Sequence, residues 1–540
     1  MPKNTTVEAP VDVDAVVVGA GFAGLYMLRK LDQLGLTSRG FEAGDGVGGT
    51  WFWNRYPGAR CDVESVGYSY SFDPELEQEW VWSERYPAQP EIESYLNHVA
   101  DRFHLRDRIA METKVTSAVF DEDTTRWTVA TDRGDQVTCR WFITAVGCLS
   151  EPKTVDIPGV DTFAGEHYDT SRWPKGEVDL AGKRVAVIGT GSSGVQAIPK
   201  LAEVADQLYV FQRTPNFSVP AWNRPLSATE LDEVKSRYRN YRADQLDSFF
   251  GQALPPGKPS AVAATEAERH EVYQAAWDLG SISAFLVAYD DLLISQESND
   301  TAAQFIRDKI AQIVADPEVA EDLSPTEYPM GTKRPCMDTG YYETYNRPNV
   351  KLINIKKTPI VRVVPNGIET SEGVIETDVI VFATGFDAMV GALNAIEIRG
   401  RDGRVLRDEW SKGPRTYLGL AVHGYPNMFV ITGPQSPSVL SNMVVSIEQH
   451  VNWIGDCIQY VTDRSAQRIE AAQNAQDEWV EHVATLADTT LFPKAKSWYI
   501  GANVPGKPRV FMPYVGGIKP YRELCDSVAA KAYEGFDVSD

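Results

Sequence analysis

Apolar and polar positions alternate between two periods along the chain. The run Ala15-Val16-Val17-Val18 reads as a buried strand, and Gly24-Leu25-Tyr26-Met27-Leu28-Arg29-Lys30-Leu31 reads as a helix that ends near Gly35. A second strand then closes on Phe41-Glu42. The order strand, glycine turn, helix, strand is a complete β-α-β unit. The pattern recurs over residues 183–214, from Val185-Ala186-Val187-Ile188 onward. Between the two units, residues 111–147 read as short strands, with Val115 in one and Trp127-Thr128-Val129 in another. The stretch Glu151 to Pro174, rich in Pro, Gly and Asp, reads as an interdomain linker.

Residues 225–330 carry a helical pattern. Ser227-x-x-Glu230 and Thr265-x-x-Glu268 have capping-box spacing, and Pro255-Pro256-Gly257 interrupts the run between them. Strands return over 350–382, and residues 386–540 read as helices mixed with loops. The predicted fold class is α/β: two Rossmann-like dinucleotide-binding domains with a helical insertion. The predicted first domain comprises 1–150 and 387–540, the second 151–224 and 331–386, and the insertion 225–330.

Each β-α-β unit holds G-x-G-x-x-G. The first copy is Gly19-Ala20-Gly21-Phe22-Ala23-Gly24 and the second is Gly189-Thr190-Gly191-Ser192-Ser193-Gly194. In such a loop the first glycine makes the turn, the second admits a pyrophosphate, and the third lets helix and strand pack closely. A lone copy is weak evidence and reads equally as a plain glycine-rich turn. Strand, helix and an acid about 20 residues on make it specific. Glu42 supplies that acid for the first copy, accepting from a ribose diol and repelling a 2′-phosphate, so FAD or NAD fits there. The second copy has Gln212 at that offset and Arg213-Thr214 beside it, a cation and a hydroxyl suited to the 2′-phosphate of NADPH. A solvated surface arginine is the bland alternative for Arg213.

A net charge of −23 argues against a nucleic-acid surface, and no apolar run approaches the roughly 20 residues that span a bilayer. Met1-Pro2-Lys3-Asn4 lacks the apolar core of a secretion signal. Six scattered cysteines without C-x-x-C point to the cytoplasm and remove the disulfide that flavin disulfide reductases use. Histidine spacing offers no metal site.

The segment Gly48-Gly49-Thr50-Trp51, then Tyr56-Pro57-Gly58, then Asp62 resembles the long signature of the Baeyer–Villiger monooxygenases at every specified position. The likeness includes both glycine loops, Gly331-Thr332-Lys333-Arg334, Ala383-Thr384-Gly385-Phe386-Asp387 and Ser497 to Lys507. It looks closest to the phenylacetone, steroid and cyclohexanone monooxygenases. One departure stands in the family's short linker signature. Phe163, Gly165, Trp173 and Pro174 match, but Asp169 occupies the histidine position and His167 sits two residues early.

The resemblance implies FAD and NADPH as cofactors, and O2 and a ketone as substrates. It also implies a C4a-peroxyflavin whose attack yields an ester or lactone. A peroxide anion needs a fixed cation in a water-poor site, and an arginine stays charged at any working pH. By the resemblance Arg334 is that catalytic cation and Asp62 its partner. Lys333 binds the 2′-phosphate opposite Arg213, and Trp498 contacts the nicotinamide nucleotide. Gln196 joins the second loop. For FAD it adds Gly49, Thr50, Trp51, Asp62, Tyr68, Val115 and Met443. Segment 435–443 looks like the loop beside the ketone pocket, and its small residues favour a bulky or aromatic ketone. A monomer or weak homo-oligomer is expected. Rival readings are a flavin monooxygenase of amines or sulfides, an NADPH-dependent flavin reductase, and a non-catalytic nucleotide sensor.

Overall fold

The computed structural model describes residues 11–539; the reading made on Met1 to Asn4 lies outside them. Two sheets organise the chain, the first mixed and the second wholly parallel. In the first, strand Val11–Val18 lies between Ser38–Phe41 and Gln136–Thr144. The long Gln136–Thr144 strand serves two arrangements. Its first half pairs antiparallel with Arg126–Thr131, and its second half pairs parallel with Met428–Val430. Alternate residues serve opposite cores, as strand period 2 demands. Ala15 and Val17 pack with Ile143 and Phe429 on one face, and Val16 and Val18 with Phe142 and Val430 on the other.

The second sheet runs Val350–Asn354, Gln207–Gln212, Arg184–Ile188, Val379–Phe382, Glu166–Asp169, all parallel. Val185 and Val187 join one apolar cluster, while Ala186 and Ile188 join another. Such burial on both faces explains the uninterrupted apolar run in the sequence. The central strand of each sheet ends at a glycine loop, followed by helices Phe22–Gln33 and Ser192–Val204.

Residues 228–323 form six helices, from Ala228–Ser236 to Pro317–Leu323. Both capping boxes form, at Ser227/Glu230 and Thr265/Glu268. No helix of the described residues is long and apolar enough to cross a membrane.

Two expectations need correction. The stretch read as linker contains strand Glu166–Asp169, which is the edge of the second sheet. Its four residues are polar or half-buried, so no apolar face announced it. The C-terminal part, read as helices and loops, also holds strands Glu397–Arg399, Met428–Val430, Arg468–Ala471 and Phe536–Ser539. These are three or four residues long, too short for periodicity to separate from a loop. The departing Asp169 has a local role of its own. Its carboxylate accepts from Ser171 N at 2.8 Å and from the Ser171 hydroxyl, capping the turn Thr170–Arg172. His167 instead sets its ring edge-on to Phe382, 6.1 Å between centroids.

Candidate active site

Both glycine loops open onto one cavity of about 1120 Å³. A pocket for one small ligand measures roughly 300–1,000 Å³, so this one lies just above that range. Gly19 has φ +104°, and a Cβ there would lie 2.5 Å from Ala145 O. Gly24 and Gly194 do not line the cavity, although both fall within the loops expected to bind nucleotide. A Cβ would lie 1.8 Å from Gly19 O in the first case and 2.3 Å from Gly189 O in the second. They let the helix fold back on its own turn, which aims the remaining loop amides at the cavity.

Glu42 ends strand Ser38–Phe41 and is buried. Its carboxylate accepts from Ala20 N and Gly44 N, each at 2.8 Å. Burial raises its pKa, against the lowering effect of those N–H groups. The same carboxylate that faces the cavity therefore also clamps the glycine loop. Gln212, at the equivalent offset of the second unit, turns inward and donates to Asp322 O at 2.7 Å. Arg213 and Thr214 line the cavity instead.

Lys333 lines it too, with its ammonium 4.5 Å from the Tyr328 ring centroid. Burial, then repulsion from Arg213, lowers the Lys333 pKa. Lys153 shows the same pair of causes and lines the same cavity. Among the described residues, none of Lys153, Arg213 and Lys333 forms an ion pair. Three uncompensated cations around one wall fit a phosphate dianion. The sequence reading missed Lys153, a lone lysine in a stretch taken for linker, with no motif to mark it.

Arg334 stands between the loops. Its Nε and Nη2 donate to the Asp62 carboxylate at 3.1 and 2.8 Å, and Nη1 donates to Val439 O at 2.8 Å. The Asp62 charge is the largest cause of the rise in the Arg334 pKa. Arg334 precedes strand Cys336–Asp338, which pairs with Ser218–Pro220. Asp62 sits on the loop whose Cys61 N donates to Pro87 O. Trp51 Nε1 donates to Tyr68 OH at 3.2 Å, tying two cavity-lining rings together. Thr50, Gly49, Phe22, Ala23, Val115 and Met443 also line the cavity, as do Thr190, Ser192, Ser193 and Trp498. Val115 is at the same time a core residue of its strand. The Trp498 ring lies tilted by 50° against Tyr499, 4.3 Å between centroids.

Gln196 lines the cavity and also ties two segments together. Its Oε1 accepts from Tyr56 OH at 2.9 Å and its Nε2 donates to Arg60 O at 3.0 Å. It thereby joins the second helix to the segment that leads to Asp62. No side-chain signal in the sequence could have shown the Val439 carbonyl as a partner of Arg334, because the group is backbone.

Two dinucleotide loops facing one arginine–aspartate pair define a flavin- and pyridine-nucleotide-dependent oxidoreductase. Residues 16–249 match the family model described as pyridine nucleotide-disulphide oxidoreductase. The chain is 42% identical over 529 residues to an acetone monooxygenase (methyl acetate-forming) of Gordonia sp. (strain TY-5), covering 98% of this chain and 99% of that one. It is 43% identical to phenazine N-monooxygenase PhzNO1 of Lysobacter antibioticus, covering 97% of this chain and 96% of that one. A solved oxidized steroid monooxygenase bound to NADP superposes with a TM-score of 0.94 at 51% identity, covering 98% of this chain and 100% of that one. The chain belongs to the Baeyer–Villiger monooxygenase family, and its cofactors are FAD and NADPH.

Proposed function

We propose that Arg334, held by Asp62, is the cation that carries oxygen insertion in this NADPH- and O2-dependent ketone monooxygenase. We further propose that its substrate is a bulky or aromatic ketone converted to an ester or lactone. The observation that supports the first statement most directly is the fork of Arg334. Asp62 engages one side of the guanidinium and Val439 O one N–H of Nη1, and the group lines the cavity between the two nucleotide loops.

When bound at the first loop and reduced by NADPH from the second, FAD would activate O2, one atom of which enters the ketone while the other leaves as water. The chain's own residues do the rest. Glu42 receives the FAD ribose, while Thr50, Trp51 and Tyr68 shape the flavin wall. Arg213, Thr214, Lys333 and Lys153 receive the 2′-phosphate, and Trp498 covers the nicotinamide end. Arg334 offers its charge where negative charge develops on the substrate carbonyl oxygen. Asp62 keeps the guanidinium from turning away. Thr432, Val439, Ser441 and Met443 face the cavity, and their modest size supports room for a large ketone.

The test is an aerobic NADPH assay over aryl, cyclic, steroid and long-chain ketones with products identified. Arg334→Ala is expected to reduce FAD normally while ester formation falls on the order of 10²–10³. Normal ester formation by that variant would refute the role. Activity confined to small cyclic ketones would refute the substrate class. The phenazine N-monooxygenase at similar identity supports a second reading, oxidation of nitrogen or sulfur, which amine and sulfide substrates in the same panel would reveal.

The two sheets support a division into 1–150 with 387–540 around FAD, 151–224 with 331–386 around NADPH, and a helical insertion at 225–330. Six buried, unbridged cysteines support placement in the cytoplasm. We also propose a monomer or weak homo-oligomer, testable by light scattering.

A further inference from the structure

The loop beside the ketone pocket is held in a conformation that its own residues disfavour. Thr432, Gln435 and Ser438 have φ of 55°, 68° and 37°, and none is glycine. Side chains seldom take that region, and it persists where neighbours over-determine the backbone. Glycine would adopt it freely, so the residue chosen at 435 must bring something that glycine lacks.

Gln435 is 1% exposed and stands behind the cavity wall rather than in it. Its Oε1 accepts from Thr416 N at 2.8 Å and lies 2.8 Å from the Thr416 hydroxyl, which also reaches Pro434 O at 2.9 Å. Its carbonyl accepts from Trp479 Nε1 at 3.2 Å, and its N–H donates to Met512 O at 2.5 Å. The next residue continues the seam, because Tyr514 N donates to Ser436 O at 2.8 Å. Three separate segments, at 416, 479 and 512–514, thus converge on one strained position. A few residues on, Val439 turns its carbonyl to Arg334 Nη1.

We infer that Gln435 is a positioning residue: it pins the substrate loop so that Val439 O holds Arg334 in its working orientation. The inference rests on the role proposed above for Arg334. Loss of the amide acceptor leaves the buried Thr416 N–H without its partner and lets the loop relax toward ordinary backbone. Arg334 then loses its hydrogen bond to Val439 O, and O2 would take the NADPH electron pair to leave as H2O2 instead of oxidising the ketone.

The test compares Gln435→Met, which keeps length but lacks the acceptor, with Gln435→Glu, which restores an acceptor at the same reach. FAD content, anaerobic flavin reduction by NADPH, and ester and H2O2 formed per NADPH are measured for each. For Gln435→Met the expected result is near-normal reduction with ester per NADPH down about tenfold, the effect of one lost buried hydrogen bond. Gln435→Glu is expected to recover part of that yield. Unchanged ester yield in Gln435→Met, or an equal fall in reduction and ester yield, overturns the inference. Should Gln435→Met fail to load FAD, Gln435→Gly answers instead, since glycine takes the positive φ freely but lacks the acceptor, and wild-type ester yield there overturns it. Arg334→Ala in the same assay separates the two ideas. Wild-type ester yield from Arg334→Ala removes the Arg334 role, whereas a fall on the order of 10²–10³-fold in Arg334→Ala beside a fully coupled Gln435→Met removes only the anchor.

Discussion

Acid should loosen this enzyme through His450, by an amount that follows from its surroundings. The side chain is fully buried on helix Met443–Asp463. Its Nδ1 accepts from Thr432 N at 2.9 Å. Tyr521 OH donates to Leu418 O at 2.6 Å and lies 3.0 Å from His450 Nε2. The ring is therefore neutral with its proton on Nε2, and a second proton on Nδ1 would confront the Thr432 N–H. Burial lowers the pKa from 6.5 to about 3. The unfolded chain takes up a proton near pH 6.5 that the folded chain refuses. This contribution to stability is thus complete above pH 6.5 and is lost as pH falls toward 3. Linkage sets the loss at roughly 1.4 kcal/mol per pH unit, so about 2 kcal/mol at pH 5 and about 5 kcal/mol by pH 3. In His450→Gln the amide oxygen can accept from Thr432 and the amide nitrogen can donate to Tyr521, with no group left to titrate. Urea unfolding of both proteins at pH 7.5 and pH 5 measures the difference. The wild type is expected to lose about 2 kcal/mol more than the variant. Equal losses in the two proteins would refute the reasoning.

Two further outcomes follow from the nucleotide loops. Arg213→Ala is expected to raise KM for NADPH about tenfold while leaving KM for NADH unchanged, because only the former carries a 2′-phosphate. Parallel rises for both coenzymes would show that the arginine reads something else. Gly24→Ala would place its methyl 1.8 Å from Gly19 O, and overpacking of backbone against backbone has no flexible side chain to absorb it. Purified Gly24→Ala is expected to lack bound FAD, so a fully yellow variant would contradict the packing role.

The features legible in the amino-acid sequence are those that are local along the chain. Glu42 and Arg213 are legible because the β-α-β unit sets a nearly constant offset from glycine loop to charge partner, and that unit is built from neighbours along the chain. Arg334 and Asp62 are legible only through family likeness. They are brought together by strands Ser218–Pro220 and Cys336–Asp338 and by the turn at 56–62, and no spacing rule spans that separation. Lys153, Gln435 and the Val439 carbonyl are illegible for a physical reason. Each acts through the place the fold gives it, not through its residue type: Lys153 beside Arg213, Gln435 behind a wall, Val439 by its backbone. Strand Glu166–Asp169 escapes notice because an edge strand with polar side chains imposes no apolar period.

Gln196 has a practical meaning for anyone recombining such enzymes. Its amide bonds to Tyr56 and Arg60 across the boundary between the two halves of the chain that carry the first and second glycine loops. A Cβ at Gly58 would lie 2.3 Å from Gln196 O, so the two surfaces are also in direct contact. The natural unit of exchange is therefore not a sheet with its own helices. Helix Ser192–Val204 belongs with the Tyr56–Arg60 turn of the other half. A chimera that transplants the second sheet with its helices alone would inherit a mismatched seam a short step from Asp62, whereas one that carries both pieces would keep it intact.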